Sequence, residues 1–167
     1  MRILFLFIFI FFIYIFYEGL KKDPTKIPSN LISKKIPEFS IKSFKNYEMS
    51  NTDLSKNEIK IVNFFASWCP PCQVEHQQLV SLSKIIPVYG IAKKNQLNDL
   101  SLWLKRLGNP YKKIGMDYDG IASIEWGVYG LPETFIVDEN GVIKYKHVGP
   151  ILKKDLIEIQ SVIKNLK

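Results

Sequence analysis

Fifteen consecutive residues, Ile3 to Tyr17, are apolar or aromatic, and no later part of the chain carries such a run. At ~1.5 Å per residue a helix of that length covers only about 22 Å of a ~30 Å hydrocarbon core. Adding Gly19 and Leu20, with Arg2, Lys21 and Lys22 reaching toward the headgroups, makes a spanning helix feasible. A cleaved signal peptide wants small residues at its end, and there is no Ala before position 66. The pattern therefore predicts an uncleaved transmembrane signal-anchor over residues 1–20. A tether over 21–35 follows, with Pro24 and Pro28 among Lys, Ser and Asn and no sustained period.

From Ile36 the pattern becomes that of a folded domain, 36–167. Glu38 to Phe44 is expected as a short strand, with Thr52 capping a helical turn before Ser55. Ile59 to Phe65 is a continuous apolar strand of the kind buried on both faces of a central sheet, with Asn63 polar among its apolar neighbours. After Cys72, Leu79, Leu82 and Ile86 recur at spacings of three and four, predicting a helix whose first turn suits Pro70. Val88 to Ala92 is a second buried strand. Asn95 is expected to cap a helix with Leu97, Leu100, Leu104 and Leu107 facing inward, ended by Gly108-Asn109-Pro110. A short strand at Ile114–Met116 and a short helix at Gly120–Trp126 come next. Thr134–Val137 and Val142–His147 are strands of a hairpin that turns at Asp138-Glu139-Asn140-Gly141. Leu152, Leu156, Ile159, Ile163 and Leu166 form one apolar stripe for a last helix.

The length of 167 residues allows one domain with a real core. A formal net charge of +7 raises nucleic acid or an acidic surface as a partner. The lysines are nevertheless scattered singly and in pairs, without a basic stripe of interleaved aromatics, in a chain with only three alanines. The charge is that of a solvated lysine surface, and no nucleic-acid partner is expected.

The chemistry lies in Trp68-Cys69-Pro70-Pro71-Cys72, which holds the only two cysteines. Such a pair can be a redox couple, half a metal site or a structural staple. A bridge closing a loop of ~4 residues stabilises by roughly 2 kcal/mol at best, against ~4.7 for a loop of 100, so the staple is weak. A closed metal site needs two more ligands, and only His76 and His147 are available to complete one with soft donors. Reversible dithiol–disulfide exchange suits the placement best. A sulfur at a helix N-terminus meets unpaired N–H groups and the positive end of the dipole, which favour the thiolate. Glu75 lies one turn beyond Cys72 on the same helix face. His76 and His147 otherwise fit a helix face and a strand edge, Trp103 and Trp126 the core, and Met49 and Met116 form no metal-binding cluster.

The order of elements, with Cys-x-x-Cys opening the first core helix and Trp68 before the first Cys, resembles the thioredoxin fold: a central mixed sheet flanked by helices. Leu131-Pro132 stands where that fold carries a cis-proline facing the dithiol. Three segments resemble one membrane-tethered branch, the cytochrome c maturation thioredoxin-like proteins (CcmG, also called DsbE). They are Trp68–Cys72 with Glu75-His76, Trp103–Tyr111 and Gly127–Phe135, supported by Gly141–Gly149.

That resemblance implies a reductase for the Cys-x-x-Cys-His disulfide of apocytochrome c, using no cofactor beyond the redox-active Cys69–Cys72 disulfide. It also implies a membrane thiol-electron donor of the DsbD or CcdA type. The location it implies is the bacterial inner membrane, single-pass, with the domain facing the periplasm. Lys21, Lys22 and Lys26 just after the span would by themselves keep the domain in the cytoplasm, so orientation rests on the resemblance alone. An exposed Cys69 would attack and a more buried Cys72 would resolve. General thioredoxins place a buried Asp where this chain has Asn63, which cannot take a proton. Glu75 and Glu133, the latter directly after Pro132, are the candidate proton acceptors for Cys72. Two readings remain beside this one: a general anchored reductant of the TlpA or ResA type, and a copper-site assembly factor on the same fold.

Overall fold

The structure, a computed structural model, describes residues 2–21, 30–44, 49–55 and 58–167. Most of the tether, with Lys22, Pro24, Lys26 and Pro28, lies outside them. Arg2–Leu20 forms α1, a helix of 19 residues, and its large apolar side chains from Leu4 to Tyr17 are exposed. Among the described residues no helix is long and apolar enough to cross a membrane, so the transmembrane signal-anchor expected over residues 1–20 is not supported.

The folded part is built on a six-stranded sheet. Its strands are β1 (Lys42–Ser43), β2 (Lys60–Phe65), β3 (Val88–Lys93), β4 (Lys113–Asp117), β5 (Glu133–Val137) and β6 (Ile143–Val148). The spatial order is β1-β4-β3-β2-β5-β6, with β2, β3 and β4 parallel to one another and the remaining pairs antiparallel. The helices are α2 (Asn51–Ser55), α3 (Pro70–Leu82), α4 (Leu97–Leu107), α5 (Ile121–Glu125) and α6 (Leu156–Leu166).

All six residues of β2 are buried, because helices cover both faces of the strand. Alternation then sorts the core into two layers. Ile61 and Phe65 join Leu79 and Leu82 of α3, Leu100 and Leu104 of α4, and Ile159 and Ile163 of α6. Val62 and Phe64 join Leu54 of α2, Trp126, Phe135 and Val137 on the other side. In that second layer Trp126 packs against Phe39, Phe64 and Phe135 with ring centroids 5.9, 5.5 and 5.1 Å apart. Burying each such ring contributes about 1.5–3 kcal/mol.

Several boundaries differ from the pattern-based expectation. The strand expected from Glu38 to Phe44 shrinks to two paired residues, which meet Met116 and Gly115 of β4. Thr52 does not cap α2. Ser50 stands before the helix, and its backbone N–H and hydroxyl both donate to Asp53 Oδ2, at 2.9 and 3.1 Å. The hairpin loop is held by Asp138 Oδ1, which accepts the N–H groups of Asn140 (2.9 Å) and Val142 (2.8 Å). Gly141 there has φ +76, and a Cβ on it would meet the Ser55 carbonyl oxygen at 2.7 Å, so glycine is required twice over. The chain before Ile36 also joins the domain, since Ser33 N–H donates to Ile143 O and Ile143 N–H to Lys34 O. Of the last helix's stripe, Leu152 precedes α6 and is partly exposed, while Ile159 and Ile163 are its buried members.

Candidate active site

β2 ends at Phe65, and Ala66-Ser67-Trp68 carries the chain to Cys69, the N-cap of α3. Cys69 is extended (φ −93, ψ 109), and its sulfur accepts the Cys72 N–H at 3.2 Å. Pro70 opens the helix, where a missing N–H costs nothing. Cys69 and Cys72 are joined as a disulfide. Contrary to the expected exposed Cys69, both are buried, at 3% and 1% exposure. The bond to Cys72 draws the Cys69 sulfur back over the first helical turn into the apolar layer containing Leu79 and Phe65. Position at the helix N-terminus, not exposure, is what sets Cys69 apart from Cys72 here.

The loop before the dithiol is tied down by residues that the sequence pattern misses. Asn95 does not cap α4. Its N-cap is Gln96, with no side-chain capping bond. Asn95, 2% exposed, instead accepts the Ser67 N–H at 2.6 Å and donates to the Ser67 hydroxyl at 2.8 Å. Its neighbour Lys94 adopts φ +47, and its carbonyl accepts the Trp68 indole N–H at 3.1 Å. The indole is thus oriented while remaining 59% exposed beside the dithiol. An open groove of about 510 Å3 runs along it, lined by Ser67, Trp68, Asp99, Leu102, Trp103 and Arg106.

Behind the dithiol lies a buried polar network. Glu75, one turn after Cys72, is completely buried. Its carboxylate accepts Asn63 Nδ2 at 2.8 Å and the Ile151 N–H at 3.0 Å. Asn63 also donates to Thr134 Oγ1 at 3.0 Å and accepts the Tyr111 hydroxyl at 2.9 Å. Tyr111 reaches in because Gly90 leaves room: a Cβ there would come within 2.8 Å of both the Tyr111 and Phe65 rings. The Tyr111 hydroxyl, occupied by Asn63 Oδ1, keeps the amide N–H pointing at Glu75. Burial raises the Glu75 pKa to about 8, against the opposing pull of Ile151 N–H and Asn63. Burial, followed by the nearby Glu75 charge, pushes the Tyr111 hydroxyl well above its ordinary value.

Leu131-Pro132 is a cis peptide bond, as the resemblance implied. The structure does not bring Glu133 to Glu75. Thr134 and Asn63 face α3, so Glu133, one residue away on β5, faces the opposite layer with Phe135. It is completely buried and paired with Lys146 at 2.8 Å. Its other oxygen accepts the N–H groups of Tyr129 (2.8 Å) and Gly130 (3.2 Å). A carboxylate held that way supports the loop before Pro132 and is turned away from Cys72. His76 is buried, its Nε2 contacting the Gly108 carbonyl at 3.0 Å and its ring edge-on to Trp103. Burial lowers its pKa, against the opposing pull of the Gly108 and Leu107 carbonyls. His147 lies on β6, 3.5 Å from the Pro150 carbonyl.

With this geometry in hand, the comparisons with known proteins are specific. The Redoxin family model matches residues 32–163. The thiol:disulfide interchange protein DsbE of Allochromatium vinosum is 44% identical over 140 residues, covering 82% of this chain and 77% of that protein. The chain belongs to the Redoxin family, among its DsbE (CcmG) members. DsbE of Escherichia coli K12 is 42% identical over 132 residues, 77% of this chain and 71% of that one. A thiol:disulfide interchange protein of the thioredoxin family from Chlorobium tepidum superposes with a TM-score of 0.64 at 27% identity, covering 84% of this chain and 99% of that one. A putative DsbE from Chlorobium tepidum shares the fold, with a TM-score of 0.68 at 23% identity over 81% and 96%. As a DsbE-family member the protein is a thiol–disulfide oxidoreductase. Its only two cysteines, Cys69 and Cys72, form the disulfide that opens α3.

Proposed function

We propose that this protein reduces the Cys-x-x-Cys-His disulfide of apocytochrome c before haem attachment. The observation that carries the reading is the relationship to DsbE. A 140-residue match within 167 residues has to include both the dithiol helix and Gly127–Phe135. In the reaction the Cys69 thiolate attacks one client sulfur and expels the other, giving a mixed disulfide. Cys72, deprotonated by the Glu75 carboxylate, then attacks Cys69 and releases the client as a dithiol. Two electrons pass to the client, and Cys69–Cys72 is left oxidised. A membrane thiol-electron donor of the DsbD or CcdA type restores the dithiol.

Deleting the gene should abolish covalent haem staining of c-type cytochromes, and restored staining with an added small thiol should follow. Normal staining in the deletion strain would overturn the proposal.

The reaction belongs, in this reading, to the periplasmic face of a bacterial inner membrane, with the domain attached to the bilayer through the apolar surface of α1. What supports the attachment is the run of exposed apolar side chains from Leu4 to Tyr17, which favours a non-aqueous surrounding. Alkaline phosphatase fused at the C-terminus should be active and membrane-bound. An inactive phosphatase beside an active cytoplasmic reporter would place the domain on the wrong side for this chemistry.

A further inference from the structure

The exchange chemistry uses Cys69, Cys72 and Glu75, yet the protein also buries an ion pair it leaves idle. Glu133 and Lys146 have side chains 0% and 3% exposed. Taking two charges out of water is costly, and the attraction between them offsets this only when their remaining hydrogen-bonding capacity is satisfied. Here the hydrogen bonds the pair does make are directed at one segment. Lys146 stands opposite Phe135 on β6 and reaches diagonally to Glu133, the first residue of β5. Its ammonium donates to the Gly127 carbonyl at 2.8 Å and lies 4.6 Å from the centre of the Tyr129 ring. Glu133 takes the next two backbone N–H groups, Tyr129 and Gly130. Between them the two side chains hold residues 127, 129 and 130, immediately before the cis bond at Leu131-Pro132.

That segment sits at the reacting end of the sheet. Glu133 pairs with Phe64 of β2, so Pro132 falls beside Phe65, four residues before Cys69. Leu131 packs against both core layers, including the one that contains Cys69 and Cys72. Tyr129, 68% exposed, presents its ring to solvent there.

We propose that Lys146 is a positioning residue for the exchange: with Glu133 it clamps Gly127–Pro132 in the place where a client polypeptide docks. The proposal rests on the oxidoreductase activity and not on the identity of the client.

The test is steady-state reduction of a synthetic peptide carrying an intramolecular Cys-x-x-Cys disulfide, by the full chain with dithiothreitol as electron source. Lys146→Met should raise KM about tenfold and leave kcat within about twofold. Lys146→Arg, which keeps the charge and the N–H donors, should restore KM. Where Lys146→Met does not fold, Lys146→Gln carries the same comparison, because it keeps a donor for the buried carboxylate. A fall in kcat at unchanged KM, unchanged kinetics, or no rescue by arginine would each overturn the proposal. Loss of peptide kinetics has no bearing on haem staining, so a failed clamp and a failed client assignment are told apart.

Discussion

Cys72→Ser is expected to stop the exchange at the mixed disulfide and hold the client on Cys69. The reason lies in the first turn of α3. Cys69 is the N-cap of a 13-residue helix, so a thiolate there meets the positive end of the dipole and the Cys72 N–H that already reaches its sulfur at 3.2 Å. That stabilises attack by Cys69. Release needs a second thiolate a turn further on, and a serine hydroxyl at neutral pH is neither ionised nor able to form the closing disulfide. Cys69→Ser should trap nothing, because Cys72 lies inside the helix, past the N-cap position that favours the thiolate. Purification of Cys72→Ser without reductant, followed by mass spectrometry, reads the adduct directly. An apocytochrome c joined through its haem-site cysteine is the expected partner. Many unrelated exported proteins without one would mark a general reductant of the TlpA or ResA type, and thiols bound to copper with no adduct would mark an assembly factor. Equal trapping by Cys69→Ser would reverse the assigned order of attack.

Glu75→Gln is expected to slow resolution of the mixed disulfide by ten- to a hundredfold, the usual lower range of a positioned acid–base group, while formation of the adduct is spared. A carboxyl with a pKa of about 8 is close to an unperturbed thiol at ~8.5, which suits proton transfer from Cys72. In the wild type the resolution rate should climb as pH rises through about 8, where the carboxylate forms, and the variant should lose that limb. Rapid mixing with a disulfide peptide at several pH values measures both effects. Unchanged resolution in Glu75→Gln would reduce the residue to a buried structural acid.

The same shift makes a stability statement of definite sign. The folded pKa is raised above the ordinary glutamate value of 4.5, so between 4.5 and about 8 the native protein keeps a proton that the unfolded chain has released. Stability from this group is therefore lost as pH rises across that window, by up to about 1.4 kcal/mol per pH unit, and levels off above it. Glu75→Gln removes the dependence. Its amide has one carbonyl oxygen where the carboxylate has two, so one of the Asn63 and Ile151 donors loses its acceptor, which adds a constant cost of about 1–3 kcal/mol. The difference in unfolding free energy between variant and wild type should still tilt toward the variant as pH increases. A difference independent of pH would mean that Glu75 titrates normally.

How much of this was legible beforehand depended on the range of the interaction. The Glu75 placement followed from helix geometry alone, three residues after Cys72, and both side chains are indeed turned inward from α3. Glu133 shows the limit. Its position after Pro132 suggested the dithiol, but a strand alternates its side chains, and Thr134 rather than Glu133 took the face toward α3. Asn95 misled for a similar reason. A short polar residue ahead of a periodic helix is a good cap, and nothing local announces that Ser67, 28 residues earlier, offers it two hydrogen bonds instead.

By itself the sequence determined the local elements. The apolar runs became β2 and β3, the three-and-four spacings became α3 and α6, and the proline after Cys69 began the dithiol helix, because periodicity and capping act within a turn or a strand. Only the tertiary structure decided which polar groups meet across the sheet. The α3 crossover between β2 and β3 chose the face that receives Glu75, Asn63 and Tyr111, and left the other face to Glu133 and Lys146. Buried polar groups are stable only with partners, and those partners, 12 to 76 residues apart for Glu75, are fixed by strand register and layer rather than by neighbouring residues.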